Sequence, residues 1–117
     1  MVKIVTEKGA ITIAHDVFTN IAGLAATNCF GVRGMAMRSM SDGLVHLLKR
    51  EVMSKGVLVS FNDEGEMAIA LHIIMKNGVN IPVLCESIIS EVRYKVESAT
   101  GTEVKTVDIF IDGMMLD

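Results

Sequence analysis

Histidines and cysteines are the side chains of this sequence that could carry catalysis or bind a metal. The three histidines, His15, His46 and His72, share no metal-ligand spacing with one another or with a cysteine or carboxylate. Cys29 and Cys85 fall at apolar positions of predicted helices, where a thiol is usually an inert part of the core. The sequence therefore predicts no catalytic residue, no metal site and no cofactor.

A pair of glycines, Gly31-Val-Arg-Gly34, is the most distinctive local motif. It matches the Gly-x-x-Gly pattern with which KH domains clamp a nucleotide backbone. Residues 31–55 contain five basic and two acidic side chains, a local charge of +3, in a chain whose net charge is −3. The basic ones are Arg33, Arg38, Lys49, Arg50 and Lys55. A helix end commonly requires a glycine, however, so a small RNA-binding module is only an alternative function, and nucleic acid is not the expected partner.

Composition indicates one folded domain, spanning residues 1–117, with more apolar surface than it can bury. The chain is 50% hydrophobic and 21% charged, and its mean hydropathy is +0.46. A domain of this size buries only about 60–70% of the surface that its unfolded chain exposes. Nine methionines against 4% aromatic residues make the apolar material flexible, as in adaptable contact surfaces. We therefore expect a homo-oligomer.

The N-terminal sequence and the cysteine spacing predict a cytoplasmic location. Two cysteines far apart in sequence form no disulfide framework, which indicates a reducing compartment. The N-terminus becomes acidic at Glu7 before any sustained apolar stretch, so we expect no signal peptide. The most apolar later window, residues 67–75, is about half as long as a membrane span.

Alternating apolar residues predict the strands. The pattern predicts one strand over residues 9–14 and a hairpin in which residues 57–62 precede a long second strand over 67–75. A last strand is predicted over residues 104–111, with Val107, Ile109 and Ile111 facing inward.

Helical spacing predicts three helices. The first has Asp16 as its N-cap and runs to about Cys29. The second, from Ser39 or Ser41 to Lys55, repeats its apolar residues at helical spacing up to Val52. The third begins at an Asn80 cap with Pro82 in its first turn, is buried along a stripe that reaches Ala99, and ends at Gly101.

These elements predict an α+β two-layer sandwich. If the middle helix is an insertion, the remaining order is β-α-β-β-α-β, the split βαβ plan of ferredoxin-like folds, with a mostly antiparallel sheet and helices on one face. The opposite sheet face would carry Ala68, Ala70, His72 and Ile74, and an uncovered face of this kind can meet another subunit. We predict contacts at Ala70, His72 and Ile74, and along the connector after the first helix. The connector residues are Gly31, Arg33, Gly34, Met35, Met37 and Arg38.

Several segments together resemble one known family, in the same order and over almost the whole chain. The most specific are Ile21-Ala-Gly-Leu-Ala-Ala26 followed by Gly31-Val-Arg-Gly34, and Val107-x-Ile-x-Ile111 in the last strand. Supporting segments lie at 9–20, 55–59, 80–82 and 100–106. In these residues the chain resembles the alkaline shock protein family of envelope stress response proteins, particularly its short YloU-like members.

The resemblance implies a small, cytoplasmic, non-enzymatic protein of Gram-positive-type bacteria that is linked to cell-envelope homeostasis. Better-known members gather beneath the membrane by self-association and by docking on a small integral membrane protein. The expected function is therefore a self-associating scaffold or adaptor at the cytoplasmic side of the membrane in envelope or general stress. Its expected partners are further copies of itself and a small integral membrane protein.

Overall fold

The computed structural model describes residues 2–36, 52–54 and 56–116. Two helices and seven strands lie in these ranges. In chain order they are β1 Val2–Thr6, β2 Gly9–Ile13, α1 His15–Thr27, β3 Val32–Met35, β4 Val52–Ser54, β5 Val57–Phe61, β6 Met67–Lys76, α2 Ile81–Thr100 and β7 Val104–Met115. The predicted helix over 39–55 falls mainly outside the described residues, and Val52, which it included, instead begins β4.

β6 is the central strand of the main sheet. Along one edge it pairs antiparallel with β5 and, further on, with β3. Along the other edge it pairs with β7 in parallel over its whole length, from Met67 beside Val104 to Lys76 beside Met115. β4 extends the sheet beyond β5, and β1 and β2 form a separate antiparallel hairpin.

The predicted fold class is confirmed, since the protein is α+β with mostly antiparallel strands. Its connectivity departs from the split βαβ plan in two ways. β6 and β7 are direct neighbours joined through α2, whereas a split unit would have another strand between them. The strand predicted at 9–14 pairs with β1 outside the main sheet. β1 itself was not predicted, because only Val2 and Ile4 of its five residues are even half-buried and its apolar pattern is weak.

The core lies between the sheet and the two helices. One face of β6 is fully buried, as its alternation predicts, through Met67, Ile69, Leu71, Ile73 and Met75. From the helices, α1 contributes mainly Phe18, Ala22 and Ala26, and α2 contributes Ile88, Val92 and Val96. The small residues of α1 allow its backbone to approach the sheet closely.

Helix ends were predicted well for α2 and less well for α1. The Asn80 side chain accepts a hydrogen bond from the Val83 N–H at 3.2 Å, and α2 ends at Gly101. Its buried stripe ends at Thr100, because Ala99 is exposed. In α1, Asp16 is not the cap: it lies in the first turn, and the capping position is Ala14, which has no side-chain acceptor. α1 also ends at Thr27, two residues before Cys29.

Candidate interaction surface

The structure brings the two predicted contact regions together. β3 pairs with the end of β6, so that Gly34 lies beside Ile74 and Met35 beside Ile73. The two regions nevertheless use opposite faces of the sheet in part. Met35 is beside a fully buried residue and packs toward the core, whereas Ile74 belongs to the face away from the helices. Met37 and Arg38 lie outside the described residues.

Gly31 and Gly34 do not belong to one loop. Gly31 has φ +89°, a backbone conformation that favours glycine, and a Cβ there would also displace Cδ1 of Leu84, which would lie 2.6 Å away. Its carbonyl accepts a hydrogen bond from the Lys76 N–H at 2.7 Å. The remaining three residues of the motif, including the exposed Arg33, are part of β3. A Gly-x-x-Gly clamp needs a loop, so this arrangement does not favour the RNA-binding alternative.

The face of the sheet away from the helices carries a cluster of apolar side chains. We call it the outer-face patch, and its residues are Leu58, Ala68, Ala70, Ile74 and Phe110. Leu58 lies opposite Ala70 across the β5–β6 pair, which places them on one face. The ring of Phe110 is 48% exposed and the other four residues are half-buried. Apolar area is therefore available for contact on this face.

His72 lies beneath the patch and supports it. Its imidazole stacks on the Phe110 ring, with centroids 4.6 Å apart and planes 10° apart. Nδ1 of His72 lies 3.0 Å from Oδ2 of Asp112. His72 is only 7% exposed, so it positions Phe110 more than it offers its own surface. The sequence places all of Ala70, His72 and Ile74 on this face, but the burial of His72 depends on residues about 40 positions away.

Titratable groups outside the patch are poorly arranged for catalysis. Burial raises the pKa of the Cys29 thiol, and the Glu91 carboxylate raises it further. Burial raises the pKa of the Cys85 thiol as well, so both favour the protonated, weakly nucleophilic form. Burial lowers the pKa of His15, whose ring meets the ring of Phe61 edge-on at 5.2 Å. In the described ranges, no three His, Cys, Asp or Glu side chains come together as a metal site.

A groove of about 380 Å³ runs beside α1, on the other side of the sheet from the patch. Its walls are polar residues, a glycine and a leucine of one helix edge together with two apolar side chains of the sheet. They are Thr19, Asn20, Gly23, Leu24, Thr27, Met35 and Val57. None of these side chains titrates near neutral pH, so the groove offers no acid or base to a bound molecule.

Comparison with known families decides the relationship. The model of the alkaline shock protein 23 family, which has a cell envelope-related function, matches residues 3–116. This chain belongs to the alkaline shock protein family. The resemblance seen in the sequence is thereby confirmed, and a cell envelope-related function comes with the family.

Uncharacterized proteins of two bacteria are similar to this chain over most of their length. The uncharacterized protein YloU of Bacillus subtilis strain 168 is 35% identical over 111 residues, 93% of this chain and 91% of that protein. The uncharacterized protein Spy1614 of Streptococcus pyogenes serotype M6 is 33% identical over 114 residues, 97% and 93% of the two chains. The uncharacterized protein YqhY of Bacillus subtilis is 30% identical over 112 residues, 96% and 82%. No solved structure matches.

The patch of this alkaline shock family member includes residues that the sequence analysis did not single out. Phe110 and Leu58 belong to it, and Asp112 holds the histidine beneath it. A signal for Phe110 exists in the sequence, since it occupies an outward position of the last strand between Asp108 and Asp112. An aromatic residue between two outward carboxylates is unusual for a solvated sheet face.

Neither α1 nor α2 is both long and apolar enough to cross a lipid bilayer.

Proposed function

We propose that this member of the alkaline shock protein family is a non-enzymatic, self-associating scaffold or adaptor that acts at the cytoplasmic side of the membrane in envelope or general stress. The observation that carries the proposal is the outer-face patch. Both described helices pack on the opposite face of the sheet, and the patch presents apolar side chains where an unpartnered protein would favour polar ones.

The make-up of the patch supports a protein contact. Phe110 is a half-exposed aromatic side chain whose ring is fixed by stacking on His72, so little side-chain entropy is lost when it is covered. Thr106, Asp108 and Asp112 are exposed beside it and give the apolar area a polar edge. An apolar centre with a polar rim is the usual composition of a protein interface.

The adaptor role has a membrane partner. In this proposal the outer-face patch receives a small integral membrane protein, and self-association of the adaptor gathers many such proteins beneath the envelope. The cell envelope-related function of the family supports this location. The high pKa of both thiols and the groove without titratable groups support a role other than catalysis.

Crosslinking in living cells, followed by purification of the tagged chain, tests the proposal. The wild-type chain is expected to bring down further copies of itself and one small membrane protein. Ala70→Lys places a charge in the patch and is expected to lose the membrane protein. Ser98→Lys, on the exposed surface of α2, is the matched control and is expected to retain it. Equal recovery by the two variants would contradict the role of the patch.

A further inference from the structure

β7 is a long strand at the edge of the main sheet. In the ranges that the structure describes it pairs with β6 alone, so its other edge presents backbone N–H and C=O groups outward. Side chains of α2 bind only the beginning of this edge. Glu97 Oε2 accepts a hydrogen bond from the Val104 N–H at 2.9 Å, and Arg93 Nη2 donates one to the Lys105 carbonyl at 2.9 Å.

Between its two irregular points, the rest of the edge lacks proline, lysine and a bulge, three features that often prevent pairing with another chain. Natural edge strands are short, or carry proline, lysine or a bulge. β7 has 12 residues and no proline. Its register against β6 is irregular only near Lys105 and Asp112, which leaves residues 106–111 as a regular stretch without lysine.

We propose that residues 107–111 pair antiparallel with the same residues of a second copy, about a two-fold axis. The proposal rests on the self-association put forward above and assigns a surface to it. Two identical free edges can satisfy each other's backbone groups in one closed, symmetric contact, which other partners of an exposed edge do not provide.

The inner face of β7 favours a second copy as the occupant. Val107 is buried, and Ile109 and Ile111 are half-buried at the margin of the core. Antiparallel pairing places these side chains against the same residues of the partner copy. A two-fold axis perpendicular to the sheet also keeps both α2 helices on the same face. The apolar layer beneath α2 then continues across the junction, so each copy covers the open margin of the other.

Charge selects the register. Directly paired residues must have their side chains on the same face of the sheet. The two-fold axis therefore passes between the two copies of one residue, which pairs with itself. Only axes at Asp108 and Ile109 keep five residues of the regular stretch paired. An axis at Asp108 would oppose two carboxylates, which is unfavourable. An axis at Ile109 places Asp108 opposite Phe110 of the second copy and joins Val107 to Ile111, so this is the expected register.

Two substitutions at one position test the contact. Phe110→Asp would oppose Asp108 of the second copy with another carboxylate, twice by symmetry, whereas Phe110→Lys would oppose it with a cation. Both remove the same ring, so a role of the ring alone predicts equal self-association. Our register predicts dissociation constants that differ by about tenfold, weaker for Phe110→Asp, in sedimentation equilibrium. Circular dichroism checks that both variants are folded.

Disulfide crosslinking tests the register directly, in a background with Cys29→Ala and Cys85→Ala. A mixture of differently tagged Val107→Cys and Ile111→Cys chains, which both keep Asp108, is expected to form the mixed disulfide faster than either like disulfide. Ser98→Cys is the exposed control and is expected to crosslink slowly.

The outcomes separate this proposal from the proposed function. Self-association that is equal in the two Phe110 variants, without the mixed disulfide, would overturn the β7 contact and leave the scaffold role in place. A wild-type chain that stays monomeric at every concentration up to its solubility limit would overturn both. If a mixture of Val107→Cys and Ile109→Cys chains formed its mixed disulfide faster than the Val107→Cys and Ile111→Cys mixture, the axis would lie at Asp108, and the register and the charge argument on which it depends would be overturned.

Discussion

At the scale of residues, the outer-face patch depends on how one histidine is held. His72 is nearly enclosed, with the Phe110 ring against one side of its imidazole and the Asp112 carboxylate at Nδ1. A buried polar group keeps its position only when its hydrogen bonds are made, because an unmade bond costs its desolvation. Asp112 therefore contributes to the patch indirectly, by fixing the ring on which Phe110 stacks.

Removing the Asp112 acceptor should destabilise the protein. We expect Asp112→Ala to lower the free energy of unfolding by about 1–2 kcal/mol, because Nδ1 of His72 loses its partner in a largely buried position. Asp112→Asn keeps an oxygen acceptor and should cost less. Urea unfolding of the two variants measures the difference. Equal losses of unfolding free energy in the two variants would show that the hydrogen bond between Asp112 and His72 does not hold the imidazole in place.

Two glycines with the same backbone conformation should respond very differently to alanine. Gly56 and Gly65 have φ of +80° and +81°. A Cβ at Gly56 would lie 2.7 Å from the His72 carbonyl oxygen and closer still to that of Ala36, whereas a Cβ at Gly65 meets nothing within 4 Å. Gly65→Ala should therefore cost only the conformational strain, about 1–2 kcal/mol.

Gly56→Ala should cost at least about 2 kcal/mol more than Gly65→Ala, since backbone atoms of Ala36 and His72 must also move. Urea unfolding of both variants makes the comparison. If the two substitutions lower the free energy of unfolding equally, the backbone oxygens of Ala36 and His72 do not lie as close to Gly56 as the structure places them.

The Glu66 carboxylate should make a small, pH-dependent contribution to stability. Hydrogen bonds from Asn62 at 2.8 Å and from Lys105 at 3.0 Å lower its pKa below the ordinary value of 4.5. Because the folded pKa is depressed, the stabilisation is present above pH 4.5 and is lost as the pH falls through the folded value. Glu66→Gln should therefore be less stable than wild type at neutral pH, and the gap should close in acid.

Urea midpoints of wild type and Glu66→Gln at neutral pH and at about pH 3 test this expectation. A gap that is unchanged between the two conditions would mean that the carboxylate charge makes no contribution. Solvent reaches the Glu66 carboxylate, so the effect should be small beside those of Gly56 and Asp112.

At the scale of elements, the two helices differ in how they begin. α2 has the Asn80 side chain on the Val83 N–H, whereas Ala14 of α1 has the extended conformation of a cap, φ −76° and ψ 157°, without a side chain that can accept. Ala14→Ser should therefore stabilise the protein by about 0.5–1 kcal/mol, and Asn80→Ala should destabilise it by about 1 kcal/mol.

Thermal unfolding of the Ala14 and Asn80 variants measures both the expected gain and the expected loss of stability. Destabilisation by Ala14→Ser would contradict the placement of the start of α1. The change at Asn80 serves as the control, because its hydrogen bond to the start of α2 is present in the structure.

The elements predicted correctly from the sequence are those with strong local signals. The β5–β6 hairpin has strict alternation and a glycine-containing turn, and α2 has an asparagine cap, an early proline and a terminal glycine. Strand β7 was predicted as an element but ends four residues later than expected, at Met115. Its parallel pairing with β6 was not predicted, because no local pattern specifies which strands become neighbours.

The candidate surface was predicted in the same uneven way. Alternation along β6 is a local property, and it places Ala70 and Ile74 correctly on the face away from the core. Phe110 and Asp112, which contact His72, lie near the end of β7, and β7 is the adjacent strand only because of the parallel pairing. The RNA-binding alternative needed Gly31 and Gly34 in one loop, but Gly34 lies in β3 and pairs with β6. A four-residue pattern could not show this pairing, because it depends on a strand about 40 residues away.

At the scale of the whole molecule, the sheet has an exposed apolar face and an exposed edge. The helices cover one face of the sheet, the outer-face patch occupies the other, and β7 presents its outer edge over residues 106–111. A scaffold needs at least two separate contacts, one for its own kind and one for a partner. In the two proposals the β7 edge serves self-association and the outer-face patch receives the partner. Phe110 belongs to both, so a dimer formed through β7 would bring two patches side by side on one face.

The central claim is that this protein acts by associating with itself. Sedimentation velocity of the purified chain, over a concentration series that spans the micromolar range, tests that claim most directly. The account predicts a sedimentation coefficient that rises with concentration toward that of a dimer or a larger assembly. A single species with the mass of one 12.7 kDa chain at every concentration would contradict it.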